Sequence, residues 1–450
     1  MDTATFDRVA EHFAAFHQHF APDFGRKEAQ ARSEQYLRGL LLQHADRRNA
    51  ENLAEAVPGA TPRALQRFLT EAPWSTAPII TALQHYLAPR LSASDGVFVI
   101  DESGFPKQGK HSVGVSPQYC GALGKVANCQ MGVFLAYVSS RGHALIDARL
   151  FLPRCWTDDR ERCTRAGVPA DVSFATKGDI GLELLRQARE RGHLQGQWVT
   201  ADEWYGRGAE LRDELDKDGW RYVLQVPLDL AVFTEPAKLV MEQRGGRGRK
   251  RKHPRLAEDS PRPKPVGSIL QVWDAAAWKV LTVGEGAQGP LTYQFAAVRV
   301  WESRDGLPGP ERWLLLRRNQ DGSEGRCYLS NAPAETGVWT LGRVCSRRWP
   351  IETEFQIEKS EVGLDEYEVR SWHGWHHHMV LSLLAGAFLL TMQQEWGKKD
   401  APPDAAAGEP GVEGVAAAAR VERGRPARVD GGYATPQRAR QALPPQATPR

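Results

Sequence analysis

Over the first 92 residues, apolar positions recur at helical spacing, with Tyr36, Leu40 and Leu41 on one face, among abundant Ala, Leu, Gln, Glu and Arg. Within NAENLAEAVPGATPRALQRFLTEAPW the pattern predicts two short helices joined by a turn. Pro58 and Gly59 break the first, while Thr61 is a good N-cap and Pro62 a good first residue for the second. That is helix-turn-helix punctuation, although ordinary helical packing has the same look. If the unit reads DNA, Arg63 and Arg67, one turn apart, face the groove.

The pattern changes after residue 92. VFVID at 97–101 is a short apolar run of strand type, and MGVFLAYVSS with ALIDARLFL reads as a hairpin through Arg141-Gly142. DIGLELLRQARERG predicts a helix, WVTAD a strand, ELRDELDKDG a helix and RYVLQV a strand. Adjacent strands followed by strand–helix alternation predict an α/β fold, a mixed sheet with helices on its faces. Between 231 and 335 the strand-like pieces AAWKVLTVG, LTYQFAAVRVW and RWLLLRR share the sequence with a basic loop. Helical patterns return at 337–360 and 372–396. The expected units are therefore an N-terminal helical segment (1–92), a first core part (93–230), a β-rich segment (231–335), C-terminal core helices (336–397) and a tail (398–450). In the tail Ala, Pro, Gly and Arg dominate, and its apolar surface is too small to offset ordering entropy, so disorder is expected.

A chain of 450 residues with 41% hydrophobic and 25% charged residues is long enough for a sizeable core and excludes wholesale disorder, collagen and small disulfide scaffolds. Net charge is only +3, so local clusters matter more than the whole-chain field. The loop RGGRGRKRKHPR contains Arg244, Arg247, Arg249, Lys250, Arg251, Lys252 and Arg255, with no acid, and is either a solvated loop or a contact to phosphate backbone. The six cysteines include no Cys-x-x-Cys pair, and reduced, buried thiols are expected rather than a zinc site. The apolar run Val380–Met392 is short for a membrane span and reads as a buried helix. MDTATFDRVAEHF carries acids early and has no signal pattern, so no export is expected and the location is cytoplasmic.

Candidate chemistry lies in the acids. Asp101 ends FVID and Asp202 ends WVTAD, and acids where apolar strands emerge can converge at one sheet edge; each alone reads as a cap or turn former. In RRWPIETEFQIEKSEVGL, Arg348, Glu352, Phe355 and Lys359 share one helical stripe, a catalytic group or a surface ion-pair ladder. Glu354 and Glu358 lie off that stripe, and strand alternation aims Glu102 away from Asp101. Three carboxylates without a Ser/His or Cys/His arrangement suit hard divalent cations, and two such ions can clamp an in-line phosphoryl displacement. The cluster His373, His376, His377 and His378 is expected to cap or pack the last helix.

Arg348, Glu352 and Lys359 match the Tyr-x2-Arg-x3-Glu-x6-Lys spacing of a branch of bacterial insertion-sequence DDE transposases, with Cys345 at the Tyr position. FVIDESGFPKQGKHSVGV resembles that family's first-Asp block and VTADEWYG its second. The resemblance spans roughly residues 25 to 395. It implies an RNase H-like core interrupted by a mainly β insertion, which suits the 150-residue gap between Asp202 and Glu352. It implies Asp101, Asp202 and Glu352 as ligands of Mg2+, replaceable by Mn2+, with no ATP and no zinc. It also implies cleavage of double-stranded DNA at element ends, transfer of the 3′ hydroxyl to target DNA, and a dimer or larger synaptic complex. Trp204, Tyr205 and Trp349 near the motifs are expected to pack in the core. Two other readings stay open: an inactive DNA-binding descendant, hinted at by Cys345, and a nuclease of the same fold without strand transfer.

Overall fold

The computed structural model describes residues 3–42, 47–241, 254–286 and 289–400. Outside them lie the tail from 401 and, in the basic loop, Arg244, Arg247, Arg249, Lys250, Arg251 and Lys252.

Helices α1 (Thr3–Phe20), α2 (Lys27–Leu41), α3 (Ala50–Ala56), α4 (Pro62–Thr70) and α5 (Thr76–Leu91) come first. The Asn49 side chain accepts hydrogen bonds from the backbone of Glu51 and Asn52, and Thr61 accepts from Ala64, so α3 and α4 both start capped. Arg63 and Arg67 are exposed on α4, and Arg67 pairs with Glu71 at 2.8 Å. The apolar faces of these helices do not close on one another alone. Phe16, Leu37, Leu65 and Leu83 share a buried cluster with Ile100, Phe134, Leu384 and Phe388 from later elements.

The next stretch holds β1 (Val97–Pro106), β2 (Ser116–Cys120), β3 (Lys125–Ser139), β4 (Gly142–Phe151), α6 (Arg154–Thr157), α7 (Arg160–Arg165) and α8 (Lys177–Arg191). It continues with β5 (Trp198–Ala201), α9 (Glu203–Arg207), α10 (Ala209–Lys217) and β6 (Arg221–Val226). Strand β1 runs antiparallel to β3, and β3 to β4, whereas β1, β5 and β6 run parallel. The central order is thus β4-β3-β1-β5-β6. Helix α8 has a full capping box between Thr176 and Asp179 and ends on left-handed Gly192.

The β-rich stretch contains β7 (Ala231–Phe233), β8 (Leu239–Val240), β9 (Arg255–Leu256), β10 (Lys264–Pro265), α11 (Val266–Val272), β11 (Lys279–Gly286), β12 (Gly289–Arg304), β13 (Leu307–Arg318) and β14 (Arg326–Ser330). Its strands are not a separate layer. β14 pairs antiparallel with β6, so β13, β12, β7 and β10 extend one 12-stranded sheet. A buried ionic cluster fastens this extension to α10. Glu302, 2% exposed, accepts hydrogen bonds from Arg212 at 2.9 Å, Arg304 at 2.8 Å and Arg312 at 3.1 Å.

The chain ends with α12 (Val338–Ser346), α13 (Pro350–Val362) and α14 (Trp372–Asp400). Buried Val380–Met392 sits inside α14, and among the described residues no helix is long and apolar enough to cross a membrane. His376, His377 and His378 pack this helix as expected, whereas His373 is exposed. His377 lies 2.8 Å from the Leu69 carbonyl and 3.0 Å from that of Trp74, and His378 lies 2.9 Å from the Tyr36 hydroxyl. Burial pushes His377 down to about 4 and His378 down to about 3. Helix α13 meets α14 at Gly386, where a Cβ would fall 1.8 Å from Oε1 of the buried Glu358. Burial, and then the neighbouring Glu354, lift the Glu358 carboxyl well above the carboxylate range.

Removing the Glu302 carboxylate leaves buried Arg212 without its counter-charge, while Arg304 keeps Asp213 and Arg312 keeps Asp216. Glu302→Ala is expected to lower unfolding free energy by about 3–5 kcal/mol. Urea titration followed by circular dichroism measures this, and a loss under about 1 kcal/mol would mean that the cluster is not what fastens the extension.

Candidate active site

Register places the first two acids. Parallel pairing of β1 with β5 runs from Val97↔Trp198 to Ile100↔Ala201 and stops there. Asp101 and Asp202 are the next residue on each strand. Asp101 does not end its strand, because β1 continues beside β3 to Pro106. Beyond Ala201 the chain instead turns into α9, and Asp202 caps it by accepting hydrogen bonds from Trp204 N at 2.9 Å and Tyr205 N at 3.3 Å. Helix α9 is pressed onto β6: a Cβ on Gly206 would fall 1.9 Å from the Gln225 carbonyl oxygen. That close approach fixes where Asp202 stands.

The third acid arrives from a broken helix. The stripe expected from 348 to 359 is not one continuous helix, since α12 stops at Ser346 and α13 starts at Pro350. Arg348 lies in the turn between them. The turn is pinned by Arg347, which donates to Asp95 at 2.7 Å and to the Ser139 carbonyl at 2.8 Å. From there Arg348 Nη1 donates to Asp101 Oδ2 at 3.0 Å and Nη2 to Glu352 Oε1 at 2.5 Å. Phe355 packs on Phe134 of β3 with ring centroids 5.1 Å apart and fixes the roll of α13. Glu352 stays half-exposed, at 49% of its side chain, while Asp101 is at 13%.

Lys359 is not brought to the acids. Its ammonium lies 5.8 Å from the Phe105 ring centroid, further along β1. Burial lowers its pKa, against the pull of Asp365. Cys345 is buried in the cluster that holds Tyr328 and Leu341, its thiol 3.2 Å from the Gly342 carbonyl, and burial pushes it up to about 12. The departure from Tyr is therefore a core substitution. All six cysteines are free. Tyr205 is buried as expected, but Trp204 and Trp349 are 50% and 44% exposed rather than packed in the core.

One neighbour, Lys177, escaped the sequence reading, and the effect of another, Glu102, was not foreseen. Glu102 does point away from Asp101, toward α8, yet it stays close enough to repel both aspartates. Its Oε1 accepts from Lys177 Nζ at 2.7 Å, while its buried Oε2 has no hydrogen-bond partner among the described residues. A signal for Lys177 was legible in TKGD: a lysine in the first turn of a helix opposes the helix dipole.

Burial pushes Asp101 up to about 7, with Arg348 opposing and Asp202 and Glu102 adding. Asp202 is raised too, by burial and then by Glu102, with Arg348 opposing. Burial works against the Arg348 charge, yet Asp101, Glu352 and Asp202 hold it above its ordinary value. These are hard oxygen donors, crowded, desolvated and short of positive charge. That donor set fits a magnesium ion, which binds through a few carboxylates and completes its shell with water and phosphate oxygens. As the side chains stand, no described group of three or more acids, histidines or cysteines is gathered tightly enough to hold a metal, because Arg348 lies between Asp101 and Glu352. Asp101 and Asp202 are the pair that fits.

Two acids thus stand side by side where the parallel strands β1 and β5 of the mixed sheet part. A family model described as DDE superfamily endonuclease matches residues 19–290, and the chain belongs to that family. The matched span includes Asp101 and Asp202 and stops short of Glu352. A probable transposase for insertion sequence element IS701 of Microchaete diplosiphon is 24% identical over 220 residues, 49% of this chain and 54% of that protein. The chain thus spans about half the length of this curated relative. A cryo-EM structure of a piggyBac transposase synaptic complex with hairpin DNA aligns over 73% of this chain and 52% of that one, at 10% identity and a TM-score of 0.34, a likeness too loose to draw on.

The raised Asp101 pKa has a thermodynamic consequence. Between the ordinary aspartate value of 3.8 and about 7 the folded protein keeps a proton that the unfolded chain has lost, so stability falls as pH rises through this window. In chelator, Asp101→Asn should therefore stabilise the protein above pH ~7 by on the order of 2–4 kcal/mol and change little near pH ~4. Denaturant titrations at the two pH values check this; equal effects at both would show that Asp101 is ordinarily acidic.

Proposed function

We propose that the chain is an insertion-sequence transposase with an RNase H-like core, which cuts DNA at element ends and joins the 3′ hydroxyl to target DNA. The observation that carries this reading is the buried pair Asp101 and Asp202 with Arg348 bridging Asp101 to Glu352. Family membership and the curated relative support it. The central order β4-β3-β1-β5-β6, antiparallel on one side and parallel on the other, supports the RNase H-like core.

On this reading Asp101, Asp202 and Glu352 hold Mg2+, with Mn2+ as a substitute. When bound, the metal supplies positive charge to the attacking and leaving oxygens of an in-line displacement. The protein groups do the rest. Arg348 carries a fork of donors suited to a phosphodiester oxygen while still facing Asp101. The Arg347–Asp95 pair holds that fork at the sheet end. Exposed Arg63 and Arg67, with the basic loop from Arg244 to Arg255, supply non-specific phosphate contacts. A dimer or larger assembly on two element ends completes the reading, and the groups named call for no ATP or zinc.

The test is cleavage of labelled DNA carrying the flanking element ends, with magnesium or with EDTA, by wild type and Glu352→Gln. Magnesium-dependent cuts at the ends, abolished by the substitution, are expected. A mutant that cuts as well as wild type would remove Glu352 from the site. Cuts without joined product on a target plasmid would make the protein a nuclease only.

A further inference from the structure

The negative charge at the sheet end is lopsided. On the α13 side, Arg348 faces Asp101 and Glu352. On the α8 side, Glu102 adds a fourth carboxylate, which repels Asp101 and Asp202. A DNA backbone laid across these strand ends brings further negative charge, and Arg348 reaches it from one flank alone. Lys177 stands on the other flank.

Its placement is specific. Lys177 is the first residue of α8, after the Thr176 cap, where a cation opposes the helix dipole and weakens the helix. The capping box would work as well with a neutral residue there. Its ammonium donates to Glu102 Oε1 at 2.7 Å and lies 4.8 Å from the Trp204 ring centroid. Trp204, two residues after Asp202, is 50% exposed, whereas the Lys177 side chain is only 12% exposed, so the cation lies beneath the indole at the edge of the site. An ammonium has three donors. The single hydrogen bond to Glu102 leaves two, and no other hydrogen bond from Lys177 is made among the described residues. Glu102 and the Trp204 face hold the group in place without using up its capacity.

We infer that Lys177 is a phosphate-binding residue of the site, on the α8 side of the sheet opposite Arg348, held there by Glu102 and the Trp204 ring. The ligand is a DNA backbone phosphate next to the one that faces Arg348. The inference rests on the proposed action on DNA.

The experiment measures binding of a labelled element-end duplex in EDTA over a range of salt concentrations, for wild type, Lys177→Met and Lys177→Arg. Each backbone phosphate neutralised contributes about 0.9 to the slope of log affinity against log salt. Lys177→Met should bind more weakly, with a slope shallower by about 0.9, while Lys177→Arg keeps the wild-type slope. Thermal midpoints of the three proteins separate lost contact from lost folding. A Lys177→Met slope equal to wild type overturns the inference, and so does a Lys177→Arg slope as shallow as that of Lys177→Met. Wild type that binds no DNA overturns the proposed function, and this inference with it.

Discussion

The ion pair between Arg348 and Asp101 joins the turn before α13 to the first strand of the sheet, at 3.0 Å, with both groups nearly buried. Asp101 is desolvated and crowded by Asp202 and Glu102, and Arg348 is desolvated in a turn between helices. A buried pair of this kind adds little net stability, and Arg348 keeps Glu352 as a second partner, so the Asp101 contact fixes geometry more than it strengthens the fold. The other features of the site serve this contact. Arg347 anchors the turn, Phe355 sets the roll of α13, and Gly206 lets α9 set the height of Asp202.

The same logic repeats at the other end of the sheet. Glu302 gathers Arg212, Arg304 and Arg312 where β12 and β13 meet α10. Through β14 and β6, the strands of the extension are backbone-paired to the strand beside β5. Displacement of the extension would therefore be felt two strands away, at Asp202, without any hinge between them.

Much of this was legible in the sequence because its signals are local. Alternation and apolar runs marked β3, β4, β5 and β6, and Thr61-Pro62 marked the start of α4. The Arg348–Glu352 contact follows from four-residue spacing, even though the helix breaks between them. Non-local features were harder to see. Nothing in VFVIDESG says that β1 continues past Asp101, because that depends on β3 being longer than β5. The stripe through Lys359 implied a shared face with Glu352, but β1 runs beneath α13 and offers Lys359 the Phe105 ring rather than the acids. Alternation correctly turned Glu102 away from Asp101 but said nothing of through-space repulsion at the end of a thin sheet. Trp204 and Trp349 were expected in the core, but a place in the first turn of α9 and one in the turn before α13 leave them half in solvent.

The buried cluster that unites the first helices with α14 also orders events in time. Tyr36 meets His378, and Leu69 and Trp74 meet His377, so α2, α4 and the segment before α5 complete their packing on the last described helix. These contacts are among the most distant in sequence that the chain makes, and contacts of that kind close late. During synthesis α1–α5 emerge first, and their contacts to α14 form only once that helix has left the ribosome. A chain released before α14 lacks the partners that Tyr36, Leu69 and Trp74 meet there.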